Sequence, residues 1–188
     1  MGLLVGSLAT YALVGPGLNL TTTVTSTITI TVTTDSTQEV MSAYAAHLKN
    51  FEFENITAMI GEYEDNATLE LVGNARGLAG QYNGAVNIGI AYQSLLSPNY
   101  FGPVNLANVS YAANVSGNGR EATVNSTFTI HGSNTAFSYI IGPSSATTYF
   151  VANVNSGVTY VRLSSNWLIS NETLDFVTFV VCGAISNC

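Results

Sequence analysis

Asn114-Val115-Ser116-Gly117-Asn118-Gly119-Arg120-Glu121-Ala122-Thr123-Val124 is the stretch that decides the fold. Asn-Gly is a strong hairpin signal, because both residues tolerate the positive φ of the tight turns that match strand twist. It predicts two antiparallel strands, 105–116 and 120–131, joined at Asn118-Gly119. Two further strand-like runs follow, 146–163 and 166–181.

Upstream of Pro103 the pattern is helical. Asp35-Ser36-Thr37 offers N-caps, and Val40, Tyr44 and Leu48 recur at i, i+4, i+8, predicting a helix over 38–50. Asn55-Ile56-Thr57 restarts a second helix through Tyr63. A short strand over 66–71, a glycine-containing loop over 73–84 and a third helix over 85–96 complete the first half. Helices first and strands second predict an α+β domain: three N-terminal helices packed on a curved antiparallel sheet.

Charged residues make up only 8% of the 188, and the formal net charge is −7. Soluble domains carry about 25%. Lys49, Arg76, Arg120 and Arg162 are the only basic residues apart from histidine, and they are scattered. That excludes a nucleic-acid partner, which needs clustered Lys and Arg against phosphates. An uncharged surface needs another source of solubility. Asn-x-Ser/Thr sequons at Asn19, Asn55, Asn66, Asn108, Asn114, Asn125 and Asn171 would supply it as N-linked glycans. Cys182 and Cys188 close the sequence and are expected to form a small disulfide loop, as in secreted chains.

Chemistry-bearing motifs are sparse. No phosphate-binding loop, dinucleotide fingerprint, nucleophile elbow or zinc spacing occurs, so no cofactor and no metal are expected. His47 falls on the first helix and reads as part of its polar face. His131 precedes Gly132 and reads as a turn residue. Glu62, Glu64 and Asp65 form a tight acidic group that fits no calcium loop and reads as a solvated helix end.

Residues 1–34 carry no charge. Residues 1–15 are apolar but short of the ~20 a spanning helix needs, and are left open as signal, anchor or mature tail. Any membrane contact would come through this segment. From Thr22 to Thr34 the chain alternates, with Val24, Ile28, Ile30 and Val32 on one face and threonines on the other. A long, flat, charge-free strand of this kind pairs with an open sheet edge. The chain is thus divided into a tail, 1–34, serving as donor strand or as anchor and stalk, and a globular domain, 35–188.

Three stretches carry a family resemblance: Asn55 to Glu70, Gly80-Gln81-Tyr82-Asn83-Gly84-Ala85, and Asn166-Trp167-Leu168 through Phe176. Over about residues 36–180 the chain resembles the nuclear transport factor 2-like superfamily, the cone fold shared with ketosteroid isomerase and scytalone dehydratase. The N-terminal extension resembles that of secreted archaeal surface proteins. The position matching the isomerase-type base is Leu71, which cannot accept a proton, so the resemblance implies a protein that is not an enzyme. The expectation is a structural subunit of an extracellular, cell-surface filament. It would be a pilus-like homopolymer joined head to tail by strand donation, with Val24, Ile28, Ile30 and Val32 at the subunit interface. The alternative is a membrane-anchored extracellular domain with a small-ligand pocket or enzymatic activity.

Overall fold

The computed structural model describes residues 9–11, 24–26, 36–75, 77–97, 100–134 and 148–182. The chain divides into two compact units, Met1–Ser36 and Thr37–Cys188. In the first, β1 (Ala9–Tyr11) pairs antiparallel with β2 (Val24–Ser26), Tyr11 opposite Val24. Val24 therefore sits in a strand that pairs within its own chain. Ile28, Ile30 and Val32 lie outside the described residues.

The second unit is α+β. Three helices, α1 (Ser36–Glu52), α2 (Ile56–Ile60) and α3 (Ala85–Leu95), accompany six strands: β3 (Tyr63–Gly73), β4 (Gly80–Asn83), β5 (Val104–Val115), β6 (Glu121–Asn134), β7 (Thr148–Leu163) and β8 (Asn166–Cys182). The strands form one sheet in the order β4-β3-β8-β7-β6-β5. The expected hairpin is present: Gly119 at φ +66° closes it, and Asn118 Oδ1 accepts from the Arg120 N–H at 2.9 Å.

The sheet is mixed rather than purely antiparallel, because β3 runs parallel to β8, with Leu69 beside Glu172. No local motif announces that pairing, since β3 and β8 lie at opposite ends of the domain sequence. The stretch over 73–84 is not all loop either. Gly80–Asn83 forms edge strand β4 against β3, where backbone bonding outweighs low strand propensity. The second helix ends at Ile60 and β3 begins at Tyr63. His131 is not in a turn but within β6, paired with Asn105 and Val151.

One face of the sheet and the apolar stripes of the helices make the core. On β6 and β7 the even-numbered residues are buried: Ala122, Val124, Ser126, Phe128 and Ile130 face Ala152, Val154, Ser156, Val158 and Tyr160. At the far end Phe101, Phe150, Phe176 and Phe179 pack edge-on and stacked, with centroids 4.9–5.7 Å apart. Gly132 makes that packing possible, because a Cβ there would lie 2.1 Å from the Phe150 ring. Helix α1 is fastened at both ends. Near its start Glu39 pairs with Arg162 at 3.0 Å and accepts from Trp167 Nε1 at 3.3 Å. At its end the Glu52 carboxylate accepts from the Leu106 N–H at 3.1 Å. The middle of α1, where His47 lies, is thereby held against the sheet.

Candidate functional site

His47 lies on the buried stripe Val40, Tyr44, His47, Leu48 and Phe51, and its side chain is only 2% exposed. It is not part of a polar helix face. Its Nδ1 meets Glu62 Oε2 at 2.6 Å and its Nε2 meets Glu172 Oε1 at 3.2 Å. Glu172, on the inner face of β8 in line with Leu174 and Phe176, is equally buried. Its other oxygen accepts from Tyr92 Oη at 2.7 Å and from Tyr63 Oη. Glu62 is not a solvated helix end. It accepts from Asn50 Nδ2 at 2.6 Å through its second oxygen, and it is the cluster member that reaches solvent, with a side chain 24% exposed.

One imidazole thus lies between two carboxylates from different elements. Burial alone would push the His47 pKa down. The charge and hydrogen bond of Glu172, then those of Glu62, overcome that and raise it to about 10. Burial likewise opposes the charge on Glu172, and His47, Tyr63 and Tyr92 together hold its pKa below the usual value. Burial first, then the Glu172 charge, keeps Tyr63 and Tyr92 protonated well above their ordinary range. At neutral pH the cluster is an imidazolium, a buried carboxylate and two neutral phenol donors. With both nitrogens protonated, His47 has no lone pair for a metal.

A second row of hydroxyls borders the cluster. Tyr44 Oη bonds Ser126 Oγ and donates to Ser156 Oγ at 3.3 Å, and burial raises its pKa to about 12. Tyr160, on the inner face of β7, is buried, and its hydroxyl has no hydrogen-bond partner among the described residues. Burial, then the charges of Glu172 and Glu62, keep that hydroxyl protonated too. An unpaired buried hydroxyl is costly, so this one stands out beside a saturated network.

Sequence reasoning missed Glu172 and discounted His47 and Glu62. The signals were present: His47 is three residues after Tyr44 and seven after Val40, and Glu172 alternates with Leu174 and Phe176. Leu71, at the isomerase-type base position, is buried and inert. Acid–base groups are nevertheless present at other positions. Six of the sequon asparagines, Asn55, Asn66, Asn108, Asn114, Asn125 and Asn171, are exposed, and Asn19 lies outside the described residues. Cys182 is buried at the end of β8, and Cys188 lies outside the described residues.

No family model matches the sequence, and no curated protein matches it either. Solved structures do match the fold. A ketosteroid isomerase-like protein from Erwinia carotovora atroseptica superposes with a TM-score of 0.57 at 17% identity, covering 77% of this chain and 98% of the other. A type 2 hexachlorocyclohexane dehydrochlorinase gives 0.60 at 13% identity, covering 79% and 89%. A protein of unknown function with a cystatin-like fold from Nostoc punctiforme gives 0.50 at 13%, covering 74% and 89%. The class is therefore the ketosteroid isomerase-like, nuclear transport factor 2-like fold, and at these identities the likeness extends to the fold alone. It turns the function away from a pilus or filament subunit built by donor-strand exchange. Similar folds include proteins described as acting on small molecules, and the cone's interior here carries charge rather than only packing.

Proposed function

We propose that the chain is a small-molecule-binding domain with acid–base capacity, centred on His47, Glu62 and Glu172. One observation carries this reading: an imidazole and a carboxylate 3.2 Å apart, each buried to 2% exposure, where apolar packing of the same volume would be no less stable. Buried, perturbed titratable groups of this kind mark functional sites more often than ordinary cores. Glu62 is the solvent-reaching end of the cluster and the group placed to exchange a proton with an incoming molecule. His47 links it to Glu172. Tyr63 and Tyr92 give their hydroxyl protons to Glu172 and so hold that carboxylate in place. Two carboxylates beside them disfavour an anionic ligand. The reaction class that fits is proton transfer to or from a small neutral molecule.

The test is a titration of isotope-labelled protein with small cyclic ketones and phenols, followed through the His47 and tyrosine resonances. Saturable shifts at His47, Tyr63 and Tyr92, lost in a folded Glu62→Gln variant, are expected. Saturable shifts confined to other residues, or none across the panel, overturn the assignment.

A further inference from the structure

The outer face of β5–β8 is the reverse of the charged interior. Its side chains include Ser110, Asn114, Thr123, Asn125, Thr127, Asn153 and Asn155. Asn125 occupies the middle of β6. Its cross-strand neighbours are Ala112 on β5 and Gly157 on β7, two of the smallest residues available. Even a Cβ added at Gly157 would remain 3.8 Å from Asn125 Oδ1. Beside it lies a hollow of about 380 Å³ lined by Ser110, Tyr111, Ala112, Asn125, Thr127 and Asn155, with Ser126 and Ser156. Small-molecule sites span roughly 300–1,000 Å³, so the hollow is of a size for one sugar ring. Every side chain lining it is uncharged.

The sequon is Asn125-Ser126-Thr127, and strand alternation sends Asn125 and Thr127 into the same hollow while Ser126 turns inward to Tyr44. The asparagines differ in how the side-chain amide is engaged. Asn108 Nδ2 donates to Thr129 at 3.4 Å, from a residue at φ +52° in the β5 bulge. Asn55 Oδ1 caps α2 by accepting from the Ala58 N–H at 3.2 Å. The amides of Asn66, Asn114, Asn125 and Asn171 make no side-chain hydrogen bond with a described residue, and of these four only Asn125 lines the hollow.

We propose that Asn125 is an N-glycosylation site whose first sugar seats in this hollow. The inference is independent of the interior cluster. In the transfer, Asn125 Nδ2 attacks the anomeric carbon of a phosphate-activated, lipid-linked oligosaccharide. The N–C bond forms, the C–O bond to phosphate breaks, the lipid phosphate departs and the amide loses one proton. The donor and its transferase belong to the export pathway of the cell.

Glycopeptide mass spectrometry on protein purified from its native cells reads the outcome. The Asn125 peptide is expected to carry a saccharide mass, at higher occupancy than the Asn55 and Asn108 peptides. Thr127→Ala, expressed in the same cells, keeps the asparagine and is expected to lose the sugar with an unchanged melting temperature. Bare Asn125 in native protein overturns the proposal, whether the chain is monomeric or that face is covered by a second copy. Equal occupancy of all six exposed sequons overturns the part assigned to the hollow.

Discussion

His47 sets the pH response of the domain. Its pKa rises from about 6.5 in the unfolded chain to about 10 in the folded one. Folded protein therefore keeps a proton that unfolded protein has lost between those values. The stabilisation is complete below pH 6.5 and is lost as pH climbs toward 10. The slope approaches about 1.4 kcal/mol per pH unit, the value for one proton. Glu172 has the opposite sign: its pKa is lowered on folding, so its contribution holds above the unfolded value of about 4.5 and falls away in acid. Urea denaturation between pH 6 and 9 should show falling stability, and His47→Leu should flatten the curve. That variant leaves Glu172 without its counter-charge and should cost about 3–5 kcal/mol at pH 6.5. Tyr160 tests the opposite situation. Tyr160→Phe removes a hydroxyl that has no partner among the described residues, so thermal melting should be unchanged or higher. A loss of more than about 1 kcal/mol would show that the hydroxyl is already satisfied.

At the scale of elements, the close approach of β6 to the phenylalanine cluster makes the sharpest demand. Gly132→Ala places a methyl 2.1 Å from the Phe150 ring and 2.7 Å from the Phe101 carbonyl oxygen. The carbonyl cannot rotate away as a side chain does. A loss of about 3 kcal/mol is expected from chemical denaturation, whereas Gly117→Ala in the β5–β6 turn, with nothing within 4 Å, should cost far less. Elements of this kind were largely legible in the sequence. The Asn118-Gly119 hairpin and the helices over 38–50 and 85–96 follow from turn chemistry and period. What stayed hidden depends on distant partners. Gly80–Asn83 becomes a strand only because β3 is there to bond it. The Ser170 bulge, where the β7–β8 register shifts, changes which residues of β8 face inward, so Glu172 cannot be placed by counting from Trp167. His47 was legible as a stripe position, but nothing local shows that two carboxylates will meet it.

For the whole molecule, the division at Ser36 and Thr37 makes a direct prediction. The second unit contains the entire six-stranded sheet, all three helices and every group of the cluster. A fragment of residues 37–188 should fold alone, with a melting temperature close to that of the full chain and the same histidine spectrum. A fragment that is unfolded by circular dichroism would show that the first unit is needed.

The parallel seam between β3 and β8 also fixes when the domain can form during synthesis. Of the six strands of this sheet β8 is the last to leave the ribosome, yet it lies between β3 and β7 at the middle of the sheet. Until it emerges, β3 and β4 have no strand pairing that joins them to the β5–β7 meander. His47, Tyr63 and Tyr92 meanwhile wait for the carboxylate that makes their burial tolerable. Closing a seam between residues about a hundred positions apart is slow compared with forming local hairpins. The nascent chain should therefore remain open to proteases until Glu172 is available and then close in one cooperative step, so that completion of the sheet and completion of the site are a single event.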